Sequence, residues 1–327
     1  MSDKVRIGLI GTGGIAHVHL RNLRAVGDAA VAALVDPDSA RIDRAVSAFP
    51  ELQDVPAFAD HEQMLSNVEL DAVLIASPHC YHRDQILAAL QAGLHVLTEK
   101  PMVCTSADAR LVMEEEQKAG KLVGISYQRH TDGAFRFVRR AIESGQAGDV
   151  QFVAAFQGQN WMRGTTGTWR QVAELSCGGQ LNDSGSHLID IILWVTGLQA
   201  KRVSASIQSF DREVDINSAL AIDFANGATG TLSVVGNCPI WWEDITIVCS
   251  DWTFFMRQGR LTYSTGSRGE VQALESTHYG DTNPDRNFVD AIAGRMEVLA
   301  PSVCGLRTIE LTEAAWRSAE SGEAVYI

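Results

Sequence analysis

Directly after a short β-branched run, Gly11-Thr12-Gly13-Gly14-Ile15-Ala16 forms a G-x-G-x-x-A turn that opens a helical pattern. The first glycine of such a turn permits the tight bend. The second lets the backbone approach a pyrophosphate, and the small Ala16 allows close packing of helix on strand. The helix N-terminus then presents unpaired N–H groups and the positive end of its dipole to phosphate. Asp36, 20 residues beyond Ala16 at the end of a second β-branched run, is placed to accept hydrogen bonds from an adenosine ribose and to repel a 2'-phosphate. The expected cofactor is NAD, in preference to NADP, held by Gly11, Thr12, Gly13, Gly14, Ile15 and Asp36. Taken alone, Asp36 also reads as a turn residue ahead of Pro37.

Further residues fall beyond the carboxyl ends of later strands, where doubly wound sheets bind their ligands. The run over Ala72 to Ala76 is followed by Ser77, Pro78, His79 and His82, and the run over His95 to Leu97 leads into Thr98-Glu99-Lys100-Pro101. Ser77, Pro78, His82, Glu99 and Lys100 join the expected cofactor-binding set. A lysine beside a cofactor can have its pKa lowered by desolvation and neighbouring positive charge. An ordinary surface pair is the plainer reading of Glu99-Lys100.

A third group is Gly178-Gly179-Gln180-Leu181-Asn182-Asp183-Ser184-Gly185-Ser186-His187, continuing to Asp190. Asp183, His187 and Asp190 stand at i, i+4 and i+7, the spacing of one helix face. An acidic and imidazole row after a flexible Gly-Gly suits general acid and base work on a hydroxyl. Asp183 and His187 could instead ligate a metal, but no third donor accompanies them at ligand spacing, so no metal is expected. Asp183 as a helix cap and His187 as a satisfied core histidine is the competing structural reading.

The elements that must position these residues change character along the chain. Val5 to Ile10, Val31 to Val35, Ala72 to Ala76, His95 to Leu97 and Leu122 to Ser126 read as strands. They alternate with helical segments such as Asp84 to Gln91 and Ser106 to Lys118, the signature of a doubly wound parallel sheet. Beyond about residue 150 come the runs Gln151 to Gln157, Val203 to Gln208, Ala219 to Phe224, Gly230 to Gly236, Ile245 to Cys249 and Thr253 to Met256. Asn226-Gly227 is a hairpin signal between two of them. This half is expected to be α+β with a mainly antiparallel sheet and helices over Asn283 to Ala293 and Gly305 to Ser321. The expected division is an α/β Rossmann domain over 1–127 and an α+β domain over 128–327.

Composition excludes other classes. Of 327 residues, 27 are Lys or Arg and 40 are Asp or Glu, a net charge of -13 that would repel a nucleic-acid backbone. Arg136, Arg139 and Arg140 lie at helical spacing and read as a solvated face. The apolar stretch near the N-terminus is too short for a signal peptide and no run is long enough to span a membrane, so neither nucleic acid nor membrane is an expected partner and a cytoplasmic location is expected. Cys80, Cys104, Cys177, Cys238, Cys249 and Cys304 form no C-x-x-C pair and read as reduced structural thiols, with a nucleophilic Cys177 as the minor alternative.

Together the Gly11 to Ala16 turn, the Ala89-Leu90-Gln91-Ala92-Gly93-Leu94-His95-Val96 lead into Glu99-Lys100-Pro101, and the Asp183, Gly185, His187, Asp190 spacing resemble the Gfo/Idh/MocA family of NAD(P)-dependent oxidoreductases, along essentially the whole chain. The resemblance implies a dehydrogenase acting on a sugar, an inositol or a related polyol, with Lys100, Asp183 and His187 as catalytic residues. His187 would take the hydroxyl proton while nicotinamide accepts the hydride. Lys100 would hydrogen-bond the same oxygen, and Asp183 would orient the substrate. It also implies that the free face of the second sheet makes a homodimer or homotetramer interface. Arg129, Trp161, Arg163 and Asn182 are the expected substrate residues, with Trp169 and Arg170 in the same Gly/Thr-rich loop. His130 stands where relatives often carry a second arginine. Two other activities stay open: NAD-dependent glycoside hydrolysis through transient oxidation, and a non-catalytic NAD or sugar sensor.

Overall fold

Short β-branched runs alternate with amphipathic segments at the start of the chain because each strand here is buried on both faces and each helix on one. The computed structural model describes residues 4–266, 271–274 and 282–327. The first elements are β1 (Val5–Ile10), α1 (Ala16–Val26), β2 (Ala29–Val35), α2 (Ser39–Ala48), β3 (Ala57–Phe58), α3 (His61–Asn67), β4 (Ala72–Ile75), α4 (His82–Gln91), β5 (His95–Thr98), α5 (Ser106–Ala119) and β6 (Val123–Ile125). Their strands form one six-stranded sheet in the order β3-β2-β1-β4-β5-β6, every pair parallel. The order reverses between β1 and β4, the switch point at which such sheets open a crevice. The helices start where capping residues stand: Asp38, Asp60 and Thr105 each accept a first-turn backbone N–H of α2, α3 and α5. Strand β3, only two residues long, carries no periodic signal and is absent from the sequence expectation.

The chain continues through α6 (Gly133–Glu143), β7 (Val150–Gly158), α7 (Trp161–Gly164), α8 (Ala173–Ser176), α9 (Gly185–Thr196), β8 (Ala200–Gln208), β9 (Asn217–Phe224), β10 (Thr229–Val235), β11 (Trp242–Cys249), β12 (Trp252–Arg257), β13 (Arg260–Thr265) and β14 (Val271–Ala273). Then follow α10 (Pro284–Ile292), α11 (Ser302–Ser321) and β15 (Val325–Tyr326). A nine-stranded sheet runs β14-β13-β12-β11-β7-β10-β9-β8-β15. Among the described residues its pairs are antiparallel except β7 with β10. Asn226-Gly227 closes the β9–β10 hairpin as expected, with Gly227 at φ 91°. Period-2 alternation is clean along β9, where Leu220, Ile222 and Phe224 face the core and Ala219 and Ala221 face outward.

Two compact units result: Met1–Gln128 with Thr282–Gly305, and Arg129–Asp281 with Leu306–Ile327. The first division falls at 128/129, beside the expected 127/128, and the second unit is interrupted by residues 282–305. The segment carrying α10 returns to the first unit, where Phe288 and Val289 join Ile7, Leu9, Leu34, Leu74 and Leu97 in one core. Sequence periodicity locates a helix but not the sheet it packs on, which is why this return was not anticipated. In the second unit α9 is buried on nearly every side, its Leu188, Ile189, Ile191 and Ile192 packed with α6 and the inner face of the sheet. Among the described residues no helix is long and apolar enough to cross a membrane.

The cysteines depart in part from expectation. Cys80, Cys238, Cys249 and Cys304 are free. Cys104 and Cys177 are disulfide-bonded, which corrects both the reading of all six as reduced and the alternative of a nucleophilic Cys177.

Candidate functional site

The turn between β1 and α1 is built around Gly11, whose φ is 88° and where a Cβ would stand 2.7 Å from the Ala76 carbonyl oxygen. No side chain fits that approach of two backbones, and the Gly11 N–H donates to the Val35 carbonyl at 2.8 Å. At Gly13 and Gly14 the reverse holds: a Cβ would meet nothing within 4 Å. Both therefore face open ground at the start of α1, a helix with no side-chain cap on its first N–H groups. Bare backbone, open space and an uncapped helix start are the features a pyrophosphate needs.

Asp36 is preset for its expected task. It is buried at 5% exposure, and its Oδ2 accepts the Thr12 backbone N–H at 2.9 Å and the Thr12 hydroxyl at 3.0 Å. Its Oδ1 accepts the Asp38 N–H at 3.0 Å, leaving lone pairs on a carboxylate that cannot turn away. These residues fit a dinucleotide with a free ribose hydroxyl.

Ser77 and Pro78 are half-buried beyond β4, the Ser77 hydroxyl donating to Gln85 Oε1 at 2.7 Å. His82 does not share their exposure. It is fully buried, with Nδ1 2.9 Å from the Pro101 carbonyl and Nε2 3.0 Å from the Ser77 carbonyl. Burial pushes its pKa down against those two acceptors. Its ring thus lies between the turns after β4 and β5 and braces them. Glu99 and Lys100 are half-buried at the end of β5, ahead of a cis Lys100-Pro101 peptide, and Glu99 Oε2 accepts the Lys100 N–H at 3.2 Å.

In the second unit the Gly178-Gly179 turn is held by a residue the sequence did not single out. Asp215 accepts the Gly179 N–H at 2.9 Å, the Leu181 N–H at 2.7 Å and the Trp316 indole N–H at 3.1 Å. A Cβ on Gly179 would stand 2.0 Å from the Asp215 carbonyl oxygen, so the second glycine is a steric requirement here. Burial raises the Asp215 pKa, opposed by those N–H donors. Asn182 lies inside this turn at 1% exposure, donating to the Cys177 carbonyl at 3.1 Å. Through this donation it supports the loop.

Asp183 is buried in the turn ahead of α9, its Oδ2 accepting the Trp161 indole N–H at 2.7 Å and Arg170 Nε at 3.1 Å. Trp161 is thus a buried support for Asp183 and not an open sugar platform; Arg170 also stacks on Trp169 at 4.5 Å. Arg163 is exposed. His187 sits half-buried in the first turn of α9, which starts only at Gly185. Asp183 therefore precedes the helix, and the expected three-residue row breaks again at Asp190. That carboxylate is buried against His130 Nε2 at 2.7 Å, and burial raises its pKa against the attraction of His130 and Arg129.

Arg129 also turns inward. It forms a close ion pair with Glu243 of β11, and its second nitrogen donates to the His187 carbonyl at 3.2 Å. Burial lowers the Arg129 pKa and raises that of Glu243, each resisted by the other's charge. A guanidinium so committed anchors the backbone of His187.

Comparison with known proteins agrees with this geometry. Residues 5–127 match the oxidoreductase family with an NAD-binding Rossmann fold, and residues 135–254 match the GFO/IDH/MocA C-terminal domain. The chain is 38% identical to inositol 2-dehydrogenase 1 of Saccharopolyspora erythraea over 338 residues, covering 99% of this chain and 96% of that protein. It is 32% identical over 200 residues to inositol 2-dehydrogenase of Corynebacterium glutamicum, a match covering 60% of this chain and only 56% of that protein. A solved levoglucosan dehydrogenase in complex with NADH and levoglucosan shares the fold, with a TM-score of 0.90, 18% identity and coverage of 99% of this chain and 100% of that one.

Replacing Asp36 by Ser removes the charge that excludes a 2'-phosphate. The ratio of NAD to NADP affinity should fall roughly tenfold or more, the worth of one charged hydrogen-bonding group. Calorimetric titration with both dinucleotides measures it; an unchanged ratio would take Asp36 out of cofactor selection.

Proposed function

This chain belongs to the Gfo/Idh/MocA family of NAD-binding oxidoreductases, and from that premise we propose that it is a dehydrogenase moving a hydride between a sugar, inositol or related polyol hydroxyl and nicotinamide. The observation that carries this reading is Asp183. A buried carboxylate with one oxygen fixed by Trp161 and Arg170, one turn ahead of the half-buried His187, is a preorganised acid and base pair. The inositol dehydrogenases similar to the chain over this region favour a polyol as the substrate class.

Bound NAD supplies the hydride acceptor. The residues of the chain manage the proton and the alignment of the hydroxyl. His187 takes the hydroxyl proton as the carbon–oxygen bond gains carbonyl character, and Lys100 is the second residue assigned to catalysis. Asp183 orients the substrate and supports positive charge on its neighbours. Arg129 acts at one remove by pinning the His187 carbonyl. Arg163, exposed in the loop between β7 and α9, remains the candidate for direct substrate contact. We place this chemistry in the cytoplasm, where nicotinamide dinucleotides are held.

Nicotinamide reduction screened against inositols, sugars and sugar acids tests this. Lys100→Met and His187→Ala should each lower turnover about 10²- to 10⁴-fold while the protein still binds NAD. Variants that turn over like the parent would remove those residues from the mechanism.

The protein is further proposed to work as a homodimer or homotetramer through the outer face of its large sheet. Phe152 is 37% exposed there, with Ile240, Trp241 and Trp242 at 58%, 50% and 41% around the start of β11. Apolar surface of this kind is usually covered by a partner. Sedimentation should show a dimer or larger species that Phe152→Asp weakens; a monomer at all concentrations would contradict the assignment.

A further inference from the structure

A buried histidine that the proposed chemistry does not use joins three elements of the first unit. His19 lies on α1 at 3% exposure, with Nδ1 2.7 Å from Asp285 Oδ1 of α10 and Nε2 3.1 Å from Glu99 Oε1 at the end of β5. Asp285 is itself fully buried, and its other oxygen accepts Asn22 Nδ2 of α1 at 2.7 Å. Glu99 uses its second oxygen to accept the Lys100 N–H at 3.2 Å.

The proton inventory is decided by this geometry. Ionised carboxylates only accept hydrogen bonds, so both ring nitrogens must carry hydrogen, and only the imidazolium satisfies both. A neutral ring would set a bare nitrogen against a buried ionised carboxylate, which is costly. Burial alone would press the His19 pKa down, but the hydrogen bonds and charges of Asp285 and Glu99 outweigh it and hold it up at about 10, against an ordinary 6.5. The charged groups that face the ring are Glu99 from β5 and Asp285 from α10.

We propose that His19 is a positioning residue held as an imidazolium, clamping Glu99 so that the Lys100 backbone, and with it the origin of the lysine side chain, stays fixed relative to the dinucleotide helix α1. Its two ties run to Glu99 at the end of β5 and to Asp285 of α10, so the clamp couples α1, the lysine turn and α10 in one hydrogen-bonded unit. The functional part of this inference rests on the reading of Lys100 as a catalytic residue.

Two measurements on the full chain decide it. In protein labelled at histidine Cε1, the resonance lost in His19→Gln should keep its imidazolium position well above pH 6.5 and move only as the pH nears 10. Because the folded pKa lies above the unfolded one, the stabilisation is complete below 6.5 and is lost as the pH rises through 10. The thermal midpoint of the parent should therefore fall over that window more steeply than that of His19→Gln. A ring that titrates near 6.5 overturns the clamp.

For the positioning role, His19→Gln and the milder Asp285→Asn should lower turnover about tenfold to a hundredfold, as sub-ångström misplacement of a reacting group does, with the NAD dissociation constant kept. Both should also shift the NMR signal of an isotopically methylated Lys100. If that signal is unmoved, the positioning role is wrong. If it moves while Lys100→Met is fully active, the clamp stands and the catalytic reading of Lys100 is what fails.

Discussion

Gly11 comes so close to the carbonyl of Ala76 that a single added carbon would lie 2.7 Å from its oxygen. This backbone contact joins the ends of β1 and β4 at the point where the strand order of the parallel sheet reverses. Because the two ends meet there, α1 starts at a defined place, its first N–H groups face open space, and Thr12 reaches Asp36 with both its backbone and its hydroxyl. The second unit repeats the device at Gly179, packed onto the backbone of Asp215, whose carboxylate then sets the turn from which Asp183 and α9 follow. In both halves reactive side chains stand on a contact that only glycine allows, and their precision is inherited from backbone, not from loops free to adjust.

Buried charge does the rest of the positioning. Three polar sets are removed from water: His19 with Glu99 and Asp285, Arg129 with Glu243, and the hydrogen-bonded His130 and Asp190. Burial makes each charge expensive unless its partner is present in good geometry, so such sets define orientation more than they add stability. Arg129 directs its spare nitrogen to the His187 carbonyl. His130 stacks on Trp194 at 4.1 Å, and Arg139 covers the same indole at 4.4 Å, so α9 is held in rotation along its length. The candidate base is carried on a helix whose rotation is fixed by buried polar contacts.

The parts of this arrangement visible in the sequence are those written in local pattern. The glycine turn, Asp36 at its expected interval and the alternation of strand and helix are short-range signals, and the structure places them as read. Four strands went unread: β3 and β15 have two residues each and β14 has three, while β13, six residues long, is rich in polar residues and lacks an apolar run. The i, i+4, i+7 spacing of Asp183, His187 and Asp190 was real but misleading, because α9 begins after Asp183 and turns Asp190 toward His130. His82, Arg129, Trp161 and Asn182 have residue types that suit ligands, yet all four hold their neighbours in place. His19 and Asp285 are 266 positions apart, and no spacing rule reaches across such a distance; only the return of α10 to the first unit brings them together.

The central claim is hydride transfer to bound NAD from a carbon bearing a hydroxyl. It is met most directly by mixing the NAD-loaded protein once with an inositol carrying deuterium at its ring carbons and following the nicotinamide signal. The account predicts reduction that is slower than with the unlabelled compound and reduced dinucleotide that has gained deuterium. Reduced dinucleotide free of the label, or none formed with any polyol while NAD stays bound, would contradict it.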